Sequence, residues 1–263
     1  MSFQKLQLAV RAKTPIDIGS VFGDCFGLFQ KVWLQGLLLQ ALTILVLYGV
    51  AIIMYIPLMG SVFVMEDPSV AEDEFFLSVF ALVIFVFYFL VYILVAIFQV
   101  GLTAAFYRIM RLKDRGIASE KGVNFGMFIK RKYFLKLTLI ALINLVILVV
   151  ATMLFVLPIF YVIIPIQFVI LFFAFHPELT IKEIYALAFS LGTRKWGVSF
   201  IILLGMFIFS LLGLFLCFIG VLATISCMLI PVYMIYKEVV GFREVEDAIQ
   251  SIGKEKKFDF YIF

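Results

Sequence analysis

The sequence predicts an all-α protein, a polytopic membrane helix bundle of six transmembrane helices in three hairpins, each hairpin preceded by a short interfacial amphipathic helix, with both termini inside. Three observations carry this. Of 263 residues, 65% are hydrophobic and only 14% charged, against roughly 45–50% and about 25% in soluble domains. Six apolar runs have about the length that a hydrocarbon core of roughly 30 Å selects. The cations, finally, are segregated along the chain.

The runs are 34–60, 75–107, 137–157, 159–175, 197–220 and 221–236, none containing Asp, Glu, Lys or Arg. The Pro158 and Gly220 junctions carry no charge, so each is expected to be a tight turn inside a hairpin. With the N-terminus inside, the inner segments 1–33, 108–136, 176–196 and 237–263 hold 4, 9, 3 and 5 Lys or Arg, all 21 of the chain. The outer loop SVFVMEDPSVAEDE holds Glu66, Asp67, Glu72, Asp73 and Glu74 and no cation. Inner loops collect Lys and Arg, so the N-in, C-in reading follows. The net charge of +4 is a topology signal and an attraction to anionic headgroups; spread along one membrane face, it does not describe a nucleic-acid surface. The start MSFQKLQLAVRAK has no apolar core of signal-peptide length, which leaves the first transmembrane helix as the expected insertion signal.

An internal repeat organises the runs. Shifted by 163 residues, IGSVFGDCFGLFQKVW (18–33) lies over IKEIYALAFSLGTRKW (181–196), so that Ile18 meets Ile181, Phe26 meets Phe189, Lys31 meets Arg194 and Trp33 meets Trp196. A degenerate third copy, GVNFGMFIKRKYF, places Arg131 and Tyr133 a further 100 residues after Lys31 and Trp33. The repeats fall at about 15–110, 118–176 and 177–240, with a tail at 241–263. Within 18–33 the apolar positions Ile18, Val21, Phe22, Cys25, Phe26, Phe29, Val32 and Trp33 form one helical stripe. The opposite face carries Gly19, Gly23 and Gly27, matched later by Ala186 and Ser190, and small residues at that spacing are expected to admit a neighbouring helix. Lys31, Trp33, Arg131, Tyr133, Arg194 and Trp196 are the expected interfacial anchors, because a cation and an amphipathic ring both suit headgroup depth. In HPELT, Pro177 ends the fourth span, Thr180 caps the next helix, and Glu183 completes a capping box.

Chemistry-bearing patterns are sparse. Cys25, Cys217 and Cys227 lack metal or redox spacing and read as packing residues. His176 stands alone at a helix end, and no cofactor motif occurs, so a catalytic role is not expected. Inside the spans the polar residues are neutral: Gln35, Gln40, Gln99, Thr103, Asn144, Gln167 and Ser210. Absent intramembrane charge counts against a proton-coupled transporter. Interhelical hydrogen bonding is the plainer role for these groups, and a polar path through Gln99, Asn144 and Gln167 the sharper one. In the tail, FDFYIF supplies Phe258, Phe260, Tyr261 and Phe263, which either fold back on the inner face or dock other membrane proteins.

The stretches PIDIGSVFGDCFGLFQKVW and HPELTIKEIYALAFSLGTRKWG with six spans resemble uncharacterised bacterial integral membrane proteins related to the membrane domain of glycerophosphoryl diester phosphodiesterases, a group also similar to the YciC-like proteins. The resemblance implies the bacterial inner membrane. Some relatives carry a soluble phosphodiesterase domain. One His cannot furnish the His pair of that chemistry, so the activity is not carried over. The expected function is non-enzymatic: organising, or assisting the passage of, membrane lipids or apolar peptides, as a subunit of a membrane complex or alone. Rival readings are a channel or transporter with a neutral polar path, and an intramembrane lipid enzyme.

Overall fold

The computed structural model describes residues 3–12, 15–66, 74–117, 123–154, 157–213 and 217–242; the docking segment expected at Phe258–Phe263 lies outside them. The described residues are all-α. In order they form α1 (Phe3–Arg11), α2 (Ile18–Glu66), α3 (Glu74–Asp114), α4 (Arg131–Met153), α5 (Leu157–Phe175), α6 (Ile181–Arg194), α7 (Trp196–Leu212), α8 (Cys217–Ile225), a 3-10 turn (Ser226–Leu229) and α9 (Ile230–Val239). Five helical stretches are long and apolar enough to cross a membrane, or six if α6 and α7, bent by 80° at their junction, count as one. The protein is therefore a membrane protein by the character of its helices.

Local chemistry sets the helix ends. Asp17 caps α2, its carboxylate accepting from the Gly19 and Ser20 amides at 3.2 Å. α3 ends where Gly116 adopts φ of 74°, and the Ile117 amide reaches back to the Leu112 carbonyl at 2.9 Å; only glycine takes that left-handed turn cheaply. The capping box read in HPELT is present: the Glu183 amide donates to Thr180 Oγ1 and the Thr180 amide to Glu183 Oε2 at 2.8 Å. The Thr180 hydroxyl, donating to Glu183 Oε2 at 2.7 Å, and the Thr180 amide together hold the exposed Glu183 carboxyl below its usual range.

Three expectations about the repeat are corrected. A separate elbow helix precedes only the last unit. In the first, α2 runs unbroken from Ile18 past Trp33, because nothing at QKVWLQ interrupts the backbone hydrogen bonds. In the middle unit, Asn124–Lys130 is a series of turns and bends, since Asn124 and Gly126 are poor helix formers. The turn expected at Gly220 is absent, since Gly220 lies inside α8, and the sixth run tightens into a 3-10 turn at Ser226–Leu229 while Leu222–Val239 remains one helical stretch long enough to cross a membrane.

The small-residue face is also corrected. Gly19, Gly23 and Gly27 are exposed; a methyl group added at Gly23 or Gly27 would meet nothing within 4 Å, and at Gly19 only the Asp17 side chain. Ala186 is exposed and Ser190 half-buried, whereas Ala188 and Gly192 are buried. The apolar stripe of the first copy instead turns inward, burying Val21, Cys25, Leu28 and Val32, while Phe26 meets Phe209 of α7 edge-to-face at 4.7 Å. Close approach occurs elsewhere. A Cβ at Gly192 would lie 2.8 Å from Pro165 Cα, which shows how tightly α6 folds back along α5. Another at Gly213 would lie 2.8 Å from the Gly220 carbonyl oxygen, where α7 meets α8.

Candidate functional site

Two groups of residues stand out, one structural and one with space for a ligand. The structural group joins the C-terminal ends of α3, α5 and α9. Helix C-termini leave carbonyls without partners, and here cations from other helices supply them: Arg108 Nε donates to the Ala174 carbonyl at 2.6 Å, and Lys136 Nζ to the Pro177 and Leu179 carbonyls at 2.6 and 2.7 Å. His176 Nε2 and the Tyr236 hydroxyl are 2.8 Å apart, and Nδ1 faces Glu178 at 3.4 Å. Burial holds the imidazole below its ordinary pKa, with the Glu178 carboxylate opposing that shift. Asp114 Oδ2 accepts from Tyr233 at 2.9 Å and from Lys237 at 2.7 Å, while the Arg111 guanidinium lies 4.2 Å over the Phe242 ring. Arg108 and Lys136 thus reach backbone carbonyls at and just beyond the end of α5, and the remaining contacts join side chains of α3, the α5 end and α9. Among the described residues, no group of three His, Cys, Asp or Glu is placed to hold a metal ion.

The second group is a cleft of about 250 Å³ between α3 and α4, lined by Tyr92, Val95, Ala96, Gln99, Val100, Ala141, Asn144, Leu145 and Leu148. Its walls are apolar, and its polar side groups are two amides and the Tyr92 phenol. Gln99 Oε1 accepts from Thr43 Oγ1 of α2 at 3.3 Å. Asn144 Oδ1 lies 2.7 Å from the Tyr185 hydroxyl, which is also 3.2 Å from the Ile140 carbonyl. The shorter contact takes the single phenolic proton. With its carbonyl so engaged, Asn144 has an amide NH₂, a double donor, to offer within the cleft. Tyr92 is 52% exposed, so the cleft opens sideways to the surroundings of the bundle.

The structure therefore brings together two of the three residues of the expected polar path. Gln167 lies on α5, outside this lining, with its Oε1 buried and unpartnered. A second groove of about 270 Å³ runs along α2 at Leu34, Gln35, Leu37, Leu38 and Ala41. What sequence reasoning missed is Tyr185, which orients Asn144 from a separate helix; its place in the apolar stripe of α6 gave no sign of a polar role.

The expected anchors occupy different settings. Lys31, Trp33, Arg131 and Arg194 are exposed, and Tyr133 is half-buried against Phe128 and Phe173. Trp196 donates from Nε1 to the Tyr161 carbonyl at 3.2 Å and stacks on Phe200. The Tyr161 hydroxyl is 2.6 Å from Thr193 Oγ1. The corner Arg194–Trp196 thus sits beside the start of α5, not beside His176 at its end. The corner and the Tyr236 hydroxyl therefore stand at opposite ends of α5.

Searches against protein-family models, curated proteins and solved structures return no match for this chain.

Proposed function

We propose that this chain is a non-enzymatic bacterial inner-membrane protein that binds and organises membrane lipids through the α3–α4 cleft. Its apolar segments meet the bilayer from the side holding the Lys and Arg residues, with both termini inside. The kinship with the phosphodiesterase-associated membrane domains belongs to the same proposal and rests on the two stretches quoted above.

The observation that carries the reading is the composition of the cleft. An apolar trough accepts an acyl chain, and amide donors at one place in it suit an ester carbonyl, the acceptor nearest the chain of a glycerophospholipid. Ligand sites are commonly built this way, from apolar walls and a few placed polar groups. The channel reading has less support, since a continuous polar route needs a third group and Gln167 does not line the cleft.

The test replaces Asn144 with Leu, alone and with Gln99→Leu, followed by purification in mild detergent and measurement of bound phospholipid by native mass spectrometry. Wild-type protein is expected to retain phospholipid, and the double variant to lose most of it while keeping its helical content. Equal occupancy in both proteins would refute the assignment.

A further inference from the structure

We infer that the bilayer lies across the outer half of the α2–α3 hairpin, so that only these two helices cross it. The α4–α5 hairpin enters from the inner side and turns back within it, and α7 lies along its inner face. The inference shares with the cleft reading only the premise that the chain is embedded.

Length poses the problem. No Asp, Glu, Lys, Arg or His lies between Lys31 and Glu66, nor between Glu74 and Arg108. At 1.5 Å per residue each stretch is roughly 50 Å of helix, well beyond a core of about 30 Å. The bilayer can cover only part of it. The inner part needs no lipid, because α3 is enclosed by protein from Val100 to Tyr107. The outer part is different: on α2, Leu47, Tyr48, Ile52, Ile53, Ile56 and Leu58 are all exposed and, at about 100° per residue, spread over roughly two thirds of the helix circumference. A single protein partner would cover one stripe of that arc, whereas exposure on every side but that of α3 fits lipid. The outer part, 45–65 paired with 75–94, is about 30 Å long, one bilayer by itself.

Register shows that the neighbours do not reach as far. Tyr88 donates to the Met54 carbonyl at 3.1 Å and Thr43 to Gln99, which fixes α2 against α3. The cleft is lined by 92–100 of α3 and 141–148 of α4, and Leu137 lies beside Gly101, so in the antiparallel pair Leu148 falls near Tyr92. α4 ends at Met153, and five residues beyond Leu148 correspond to about Phe87 of the antiparallel α3. From Phe87 back to Glu74, roughly 20 Å of α3 extends past that end. The link from Leu154 to Pro158 reads LFVLP, with no polar side chain to meet water on the far side.

The corner residues mark the near side. Trp196 and Thr193 contact Tyr161, fourteen positions before Phe175, or roughly 20 Å from the His176 end. If that end lay at the inner surface with α5 crossing fully, Arg194 and Lys195 would stand past the bilayer centre. With the bilayer centred on the α2–α3 arm, they and Trp196 stand at inner headgroup depth, where such residues are stable. The 80° bend then turns α7 toward the membrane plane. α7 exposes Ile201, Leu204, Ile208 and Leu211 along one side and buries Ile202, Met206 and Ser210 on the other, the pattern of a helix lying on an interface.

Nitroxides at Val62→Cys, Val79→Cys and Leu135→Cys test the placement, in a chain whose Cys25, Cys217 and Cys227 are changed to Ala, reconstituted in phosphatidylcholine–phosphatidylglycerol nanodiscs. Val62 and Val79 are expected to collide mainly with oxygen and Leu135 mainly with an aqueous nickel chelate. The reverse ratios would overturn the inference, as would dilution-sensitive spin–spin broadening at Val62, which would mean that a second copy covers the arm. A Trp33→Phe chain, which keeps all cysteines and has Trp196 as its sole tryptophan, gives a second measurement should the cysteine-free chain fail to fold. Lipids brominated near the ester end are expected to quench it more than lipids brominated near the chain terminus; the opposite order would refute the placement. Neither readout depends on lipid bound in the cleft.

Discussion

Substituting Ala at Gly192 and at Gly23 is expected to move stability in opposite directions. A Cβ at Gly192 would sit 2.8 Å from Pro165 Cα, 2.9 Å from its Cγ and 3.1 Å from its nitrogen. Carbon atoms rest about 3.5–4.0 Å apart, so α5 and α6 must separate by roughly 1 Å, and the proline ring offers no rotamer by which to yield. Overpacking of this kind costs about 1–3 kcal/mol. Ala returns about 1 kcal/mol of helix propensity, which leaves a net loss of about 0–2 kcal/mol. At Gly23 nothing lies within 4 Å, so only the propensity gain of about 1 kcal/mol remains. For a chain of this size about 1 kcal/mol corresponds to a Tm change of about 2–4 °C. Thermal melts by circular dichroism in one detergent are expected to place Gly23→Ala above wild type and Gly192→Ala at or below it. A drop at Gly23 together with a rise at Gly192 would restore the small-residue face that the sequence suggested and refute the packing described here.

Two further outcomes follow from the C-terminal ends of α3, α5 and α9. Because burial lowers the pKa of His176, the folded state favours the neutral ring; its contribution is present above the unfolded pKa of about 6.5 and is lost as pH falls from there toward the folded value. Glu178, Arg108 and Tyr236 are the ionisable groups that face the ring. Melting temperature is expected to fall more steeply with acidification in wild type than in His176→Gln, and parallel pH profiles would contradict this. Replacing Lys136 with Met removes two charge-assisted bonds to the Pro177 and Leu179 carbonyls, and a loss of about 1.5–3 kcal/mol is expected; an unchanged melt would show that water satisfies those carbonyls equally well.

The sequence by itself determined the solvent, the all-α class and the capping box at Thr180, because each depends on composition or on contacts within a few residues. It also identified Gln99 and Asn144 as polar groups in an apolar setting. Only the tertiary structure decided that these two share a cleft without Gln167, and that Tyr185 orients one of them from another helix. The same holds for the glycines. Spacing drew attention to Gly19, Gly23 and Gly27, but a one-dimensional pattern cannot tell which side of a helix meets a backbone, and the close contacts are made by Gly192 and Gly213. The corner Arg194–Trp196 shares a cation and a tryptophan with Lys31–Trp33, yet its place beside Tyr161 is set by α6 folding back along α5. A sequence pattern suggests which residues correspond; long-range packing fixes where each of them stands.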